Sequence, residues 1–357
     1  MSVSYRAVAW NANKKRYDAV MLACILIYLL LFYSVSRLAY RPPRELSDAI
    51  IAIRALGTCA IIMLHVVLCI GPLARLDTRF APLLYNRRHL GVATFITSAL
   101  HAVLVVAWYH GFGVMHPLVS VLVSNPHYGS FLLFPFEIFG VAALVILFFM
   151  AATSHDFWLK NLSPRAWKSL HMLVYVAYAA LLLHVALGAL QLEKTPVYAA
   201  ALFLGALLVS GLHLAAGLRE FSRDRRPAAV NADSPDRWLD AGLVDDIAPG
   251  RAKIVCDAAH AGERIAVFRH GNAISAVANL CAHQGGPLGE GRIIDGCITC
   301  PWHGYQYLPA SGSSPPPFTE KIPTYRVRIE ARRIFVDPRP FPPGTPVEPA
   351  VIGELHA

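Results

Sequence analysis

Six stretches of this sequence stay apolar over the roughly 20 residues an α-helix needs to cross a bilayer core of about 30 Å. They run over 18–36, 49–73, 90–108, 131–150, 170–190 and 198–218. Hydrocarbon offers no water to backbone N–H and C=O groups, so such stretches fold as helices that satisfy those groups internally. Composition agrees, with 55% hydrophobic and only 15% charged residues, against about a quarter charged in soluble domains. The apolar excess stops near 218, and 219–357 has the make-up of a small soluble domain. The expected fold is a membrane α-helical bundle of six transmembrane helices plus a small all-β domain. The boundaries read as a segment over 1–17, the bundle over 18–218, a linker over 219–236, the β domain over 237–338 and a Pro-rich tail over 339–357.

The formal charge of +9 does not point to nucleic acid, because most Lys and Arg flank the apolar stretches. They read as orientation signals, with lipid as the partner. With the N-terminus inside, fifteen fall on the inner side, among them Arg6, Lys14, Lys15, Arg16, Arg75, Arg87, Arg88, Lys168 and Arg226. Four fall outside: Arg37, Arg41, Arg44 and Lys194. This bias places both termini and the β domain in the cytoplasm, the bundle being multi-pass in the inner membrane. The first stretch follows Lys14-Lys15-Arg16 like a signal peptide, but no small-residue cleavage site is evident, so it reads as retained.

Ionisable residues inside a membrane are costly and mark function. His65, His101, His184 and His213 lie inside spans, and His89 and His171 lie near inner ends. One such histidine is as readily a hydrogen bond to a neighbouring helix. Several in one bundle point instead to b-type haem, whose axial ligands are neutral imidazoles. His171 and His184 are separated along their helix by about 20 Å, which suits two haems, one near each face. Depth matching pairs His101 with His184 and leaves His65 or His89 as partner for His171. Arg54 and Glu137 read as an ion pair near the outer ends of their spans, with contact of Arg54 to a haem propionate or an outer-face acceptor as the alternative. Loop residues His110, His116 and His127 read as solvated, with binding of a metal or acceptor as the alternative.

These residues lie in IGPLARL (70–76), RRHLGVATFITSALH (87–101) and LHMLVYVAYAALLLH (170–184). The segments resemble the ferric reductase-like transmembrane domain, a family that includes NADPH oxidases and the membrane haem subunit of methionine sulfoxide reductase systems. The resemblance implies that His101, His171 and His184 ligate haem b. Two-haem members carry two third-span histidines about 14 apart, against 12 from His89 to His101 here.

From Trp238 onward, short β-branched runs alternate with turn residues: KIVC (253–256), RIAVFR (264–269), AISAVANL (273–280), TYRVRIE (324–330) and RIFVD (333–337). Between them stand Cys281-Ala282-His283 and, after sixteen residues, Cys300-Pro301-Trp302-His303-Gly304. Two Cys and two His on two loops match a Rieske [2Fe–2S] cluster, thiolates on one iron and imidazoles on the other. Zinc is the competing reading of any such set, but CPWHG at this distance from CxH favours the cluster. Cys24, Cys59 and Cys69 read as buried hydrophobes, and Cys297, lacking a loop-one partner, as a packing residue. The loops lack the disulfide cysteines of quinol-oxidising complexes and so resemble the Rieske ferredoxins of aromatic-ring dioxygenase systems. That resemblance, with GSSPPP (312–317) covering the cluster, implies a potential near the low end of the Rieske range.

No Gly-rich dinucleotide fingerprint and no mononuclear-iron domain is found. The leading expectation is a transmembrane electron-transfer protein, an oxidoreductase component linking a cytoplasmic donor to an outer-face acceptor or partner reductase. The alternatives are a membrane anchor or redox-sensing subunit, and a quinol-linked donor to a cytoplasmic enzyme. Reporter fusions after Arg226 should behave as cytoplasmic. Alkaline phosphatase activity there overturns the orientation and the direction of electron flow with it.

Overall fold

The computed structural model describes residues 12–38, 46–84, 86–130, 133–154, 164–192, 196–224, 238–257, 263–283, 285–302, 304–316 and 318–353. Two compact units form: a helical one from 10–73 and 86–213, and a second from 74–85 and 214–357.

The helical unit is built from α1 (Ala12–Leu38), α2 (Asp48–Leu76), α3 (Arg87–Val105), α4 (Pro117–Val123), α5 (Glu137–Ala152), α6 (Pro164–Met172), α7 (Val174–Leu187) and α8 (Pro196–Asp224). The ends of α2 and α8 run on into the second unit. Asp48 opens α2, where a carboxylate suits the helix dipole, and accepts hydrogen bonds from Tyr33 (3.0 Å) and Arg37 at the end of α1. Small residues let helices approach closely. Ala143 of α5 and Ala177 of α7 are fully buried against each other's surroundings, with Leu147 and Phe95. On another side of α7, Tyr178 packs with Leu64, Leu68 and Cys69 of α2 and Val209 of α8.

Among the described residues five helices are long and apolar enough to cross a membrane, and Glu137–Ala152 is a shorter apolar helix. The expected fourth span over 131–150 therefore begins late. Pro135 pushes the residue before it away from helical geometry, so the helix opens at Glu137 and runs 16 residues, about 24 Å. The linker also starts later than expected, because α8 continues through Asp224.

The second unit contains three small sheets. One has the order β1 (Leu239–Leu243), β10 (Arg333–Val336), β9 (Val327–Glu330). Another has the order β11 (Ala350–Val351), β4 (Ala273–Ala278), β3 (Glu263–His270), β2 (Ala252–Asp257), with β8 (Thr324–Tyr325) also on β4. The third runs β5 (Arg292–Ile294), β6 (Cys297–Thr299), β7 (Gln306–Tyr307). Strand β3 is buried on both faces. Ile265 and Val267 point into a core with Leu239, Ile274 and Ile334, while Ala266 and Phe268 point into a second core with Leu288, Ile298 and Tyr307. This follows from the two-residue period of a strand. The second core also contains Cys281 and Cys300. Within this unit Arg264 of β3 pairs with Glu220 of α8 at 2.8 Å.

The tail is less irregular than its prolines imply. Ala350 and Val351 pair with Ile274 and Ala273, and the Thr345 carbonyl accepts from Thr324 Oγ1 at 2.8 Å. The β9–β10 hairpin turns through Ala331 and Arg332, at φ 46° and 64°. Two positive φ angles in a two-residue turn favour Asn or Gly. Arg332 also reaches Asp245 at 2.7 Å, so Ala331 is the position to change. Ala331→Asn should stabilise the fold by about 0.5 kcal/mol, part of the left-handed penalty for an alanine. Thermal unfolding of the full-length chain checks this; an unchanged or lowered midpoint refutes it.

Candidate functional site

Two loops of the second unit repeat one hydrogen-bond pattern around a cysteine. In the first, the Cys281 N–H donates to the Gly286 carbonyl at 2.9 Å, and the Gly285 N–H donates to the Cys281 carbonyl at 2.7 Å. In the second, the Cys300 N–H donates to the Tyr305 carbonyl at 2.8 Å, and the Gly304 N–H donates to the Cys300 carbonyl at 2.9 Å. Gly285 and Gly304 adopt φ 72° and 73°, a conformation open to glycine without penalty. The loops meet face to face. A Cβ on Gly286 would stand 2.6 Å from Cys300 Sγ and 3.2 Å from the Trp302 ring. Both thiols are buried, Cys281 to 2% and Cys300 to 1% exposure.

Aromatic side chains close the site. The Tyr305 ring stacks on His283 at 4.6 Å and 8° between planes. Its hydroxyl bonds the Glu320 carboxylate, and Phe318 meets its face edge-on at 5.2 Å. The proline-containing segment is pinned across the same region, the Ser314 N–H donating to the Glu320 carbonyl at 2.9 Å. Tyr307 is fully buried; its hydroxyl lies 3.3 Å from Cys281 Sγ and accepts the His283 N–H at 3.3 Å. Burial, then the neighbouring Cys281, pushes the Tyr307 phenol well above its ordinary range. Hydroxyl or thiol can donate across this contact, and a thiolate at Cys281 makes the hydroxyl the donor. Cys297 is buried in β6, and burial followed by the charge of Asp295 pushes its thiol up. The fourth expected ligand, His303, lies outside the described residues. Two buried thiols on facing loops, a glycine that keeps the space between them clear and an imidazole held by stacking fit the donor set of a [2Fe–2S] cluster.

In the helical unit six of the described histidines are tied through Nδ1. His101 on α3 bonds the Ile53 carbonyl of α2 at 2.9 Å, and His184 on α7 bonds the Phe136 carbonyl beside α5 at 3.0 Å. A carbonyl only accepts, so both rings carry the proton on Nδ1 and present Nε2 as a lone pair. The two imidazoles lie within electrostatic reach of each other. His171 donates to the Trp167 carbonyl at 3.0 Å and stacks on Trp167, and His213 donates to the Val209 carbonyl at 2.9 Å. His89 Nδ1 meets the Asp18 carboxylate at 2.9 Å. His65 is different. Nδ1 bonds the Ile61 carbonyl at 2.6 Å, and Nε2 accepts from the Tyr178 hydroxyl at 3.0 Å, so both nitrogens are used.

Glu137 begins α5 with one carboxylate oxygen buried, and Arg54 lies in α2. The loop histidines are engaged locally, His110 with Ser120 at 2.8 Å and His127 with Asn125 at 3.0 Å; His116 precedes α4. Sequence reading overlooked Tyr307. Its signal was the alternation with Tyr305 two positions earlier, which turns both rings toward one end of β7.

Comparison with known proteins agrees with this division. The ferric reductase like transmembrane component matches residues 56–182, and the Rieske [2Fe-2S] domain matches residues 237–326. The chain is 29% identical to the protein-methionine-sulfoxide reductase heme-binding subunit MsrQ of Polaromonas naphthalenivorans, over 55% of this chain and 89% of that protein. It is 34% identical to the anthranilate 1,2-dioxygenase ferredoxin subunit of Burkholderia cepacia, over 28% of this chain and 91% of that protein. With the biphenyl dioxygenase ferredoxin subunit of a Pseudomonas species the identity is 33%, over 26% of this chain and 85% of that protein.

The Tyr307 hydroxyl bears on the low potential that the resemblance implies. A hydrogen bond to a ligand sulfur strengthens as the cluster gains an electron, so it raises the potential. Tyr307→Phe should lower the cluster's midpoint by on the order of 50 mV, the one-electron equivalent of a hydrogen bond worth about 1 kcal/mol. A redox titration followed by EPR measures it; an unmoved midpoint shows that the hydroxyl does not act on the sulfur.

Proposed function

Because this chain belongs through its C-terminal part to the Rieske [2Fe–2S] domain family and carries a ferric reductase like transmembrane component before it, we propose that it passes electrons across the inner membrane, from a cytoplasmic donor to an acceptor or partner reductase at the outer face. One observation carries this reading. A single chain combines a buried two-loop Cys/His site with a pair of imidazoles, His101 and His184, held on two helices that both pack on α5, with Nε2 presented. Bound at these places, a [2Fe–2S] cluster and haem b supply the one-electron chemistry that amino acids lack.

The remaining work belongs to the chain. Cys281 and Cys300 are the thiolate ligands, and His283 and His303 the imidazole ligands. Tyr305, stacked on His283 and anchored by Glu320, keeps water from the loops. In the bundle, His101 and His184 hold the outer haem. His89 and His171 hold an inner one: they precede the outer pair by 12 and 13 residues, a rise of about 18 and about 20 Å. His89 donates Nδ1–H to the Asp18 carboxylate, the arrangement of a metal-ligating imidazole. Arg87, two residues before it, lies within electrostatic reach of His171. His65 serves instead as a hydrogen-bonded link between α2 and α7, since Tyr178 occupies the nitrogen a metal needs. The heme-binding relative supports haem in the bundle, and the Lys and Arg asymmetry supports a cytoplasmic Rieske domain.

Anaerobic reduction of the purified full-length chain should reduce cluster and haem in sequence, read by EPR and by the haem α-band. His184→Ala and His89→Ala should each remove one of two haems per chain, and His65→Ala neither. A pyridine haemochrome value of one haem per chain, unaffected by His171→Ala, refutes the second haem. Protein without any haem overturns the electron-transfer reading of the bundle.

A further inference from the structure

Five intramembrane or near-membrane histidines use a backbone carbonyl as Nδ1 partner, but not in the same way. His65, His171 and His213 bond the carbonyl four residues earlier in their own helix: Ile61, Trp167 and Val209. Only His101 and His184 reach a carbonyl on another segment, 48 residues away in each case. In an α-helix the carbonyl of residue n points along the axis to the N–H of residue n+4. A donor from another helix approaches its second lone pair past the position of residue n+4, where a side chain takes up room; the Phe136 carbonyl, at the N-cap of α5, accepts the Phe139 N–H at 3.2 Å as well.

At both places that residue is glycine. Gly57 follows Ile53 by four positions and Gly140 follows Phe136 by four. A Cβ built on Gly57 would lie 3.0 Å from His101 Nδ1 and Cε1; one on Gly140 would lie 2.8 Å from the same atoms of His184. One of the two contacted atoms, Nδ1, already holds a hydrogen bond, so the ring cannot give way without losing it. A glycine inside a helix is itself unfavourable by about 0.5–1 kcal/mol relative to alanine, which leaves the repeated placement in need of a reason.

We propose that Gly57 and Gly140 are paired positioning residues for the outer haem: each opens its helix so that an axial imidazole can donate Nδ1–H to a neighbouring carbonyl, fixing both rings with Nε2 toward one iron. The inference rests on the haem reading above. Both rings gain electron density through the Nδ1–H bond, as a metal-bound imidazole does from an acceptor behind it. The pair therefore holds the outer haem's potential down as well as its orientation.

The test uses full-length holoprotein carrying Gly57→Ala, Gly140→Ala or, as control, Gly91→Ala, whose Cβ meets nothing within 4 Å. The first two should shift the EPR g-values of one haem and raise its midpoint, making its reduction up to tenfold more favourable, 59 mV for one electron. The other haem and the Rieske signal should stay as in wild type, which also reports that the chain has folded. Loss of one haem alone, with the second haem and the cluster signal retained, supports the same role. Gly57→Ala and Gly140→Ala proteins with unaltered spectrum and midpoint overturn the proposal while His101→Ala and His184→Ala, each removing a haem, leave the haem reading intact. Loss of both haems from either glycine variant overturns it too, since the effect is then not confined to one pair. A wild-type chain without haem removes the haem reading and this inference together.

Discussion

Hydrocarbon supplies no hydrogen bonds, so every polar group in the bundle must find its partner in the protein. That constraint decides how the histidines behave. Each uses Nδ1 on an acceptor, a carbonyl at His65, His101, His171, His184 and His213 and a carboxylate at His89. Satisfying the backbone-facing nitrogen also selects the tautomer, leaving Nε2 as the lone pair a metal requires. Polar satisfaction and ligand preparation are therefore one interaction. Where a second partner exists, as Tyr178 does for His65, both ring nitrogens are engaged.

The soluble unit meets a related problem in a different solvent. Its two thiols lie inside a core of Phe268, Leu288 and Ile298, where burial disfavours the thiolate that ligation needs. The loops compensate locally. The Tyr307 hydroxyl lies beside Cys281 Sγ, and both cysteines sit at the root of a turn whose backbone bonds are closed by a glycine. A thiolate formed there has a donor waiting, and loops closed at their base do not have to reorganise around it.

How much of this was legible in the sequence depended on the range of the signal. Strands β2, β3, β4 and β10 fall on the runs that alternation picked out, because their periodicity is local. The two cysteine loops were legible because ligand spacing is local too. The fourth span was read too long because an uncharged run crosses Pro135 without any change of hydropathy, although the backbone changes there. The strand at Ala350–Val351 was hidden in a Pro-rich tail because its partner, β4, lies far back in the chain. Depth counting left His65 and His89 both open, and their different surroundings were not legible either. Tyr178 and Asp18, which separate them, stand 113 and 71 residues away, and no pattern in one sequence relates them.

Cross-segment bonds have a consequence that bonds within a helix lack. An imidazole tied to its own helix turns with that helix, so its Nε2 keeps whatever relation to a neighbour the packing leaves. His101 and His184 are instead each anchored to a second segment, α2 and the start of α5, while α5 packs with both α3 and α7. Rotating either histidine-bearing helix breaks a bond buried in hydrocarbon, with no water to replace it. The fully buried pair Ala143 and Ala177 resists the same rotation by contact. Four segments thus constrain two rings. Geometry held by packing and by a supporting layer of hydrogen bonds, rather than by the ligand that arrives, is what keeps reorganisation small at a redox site.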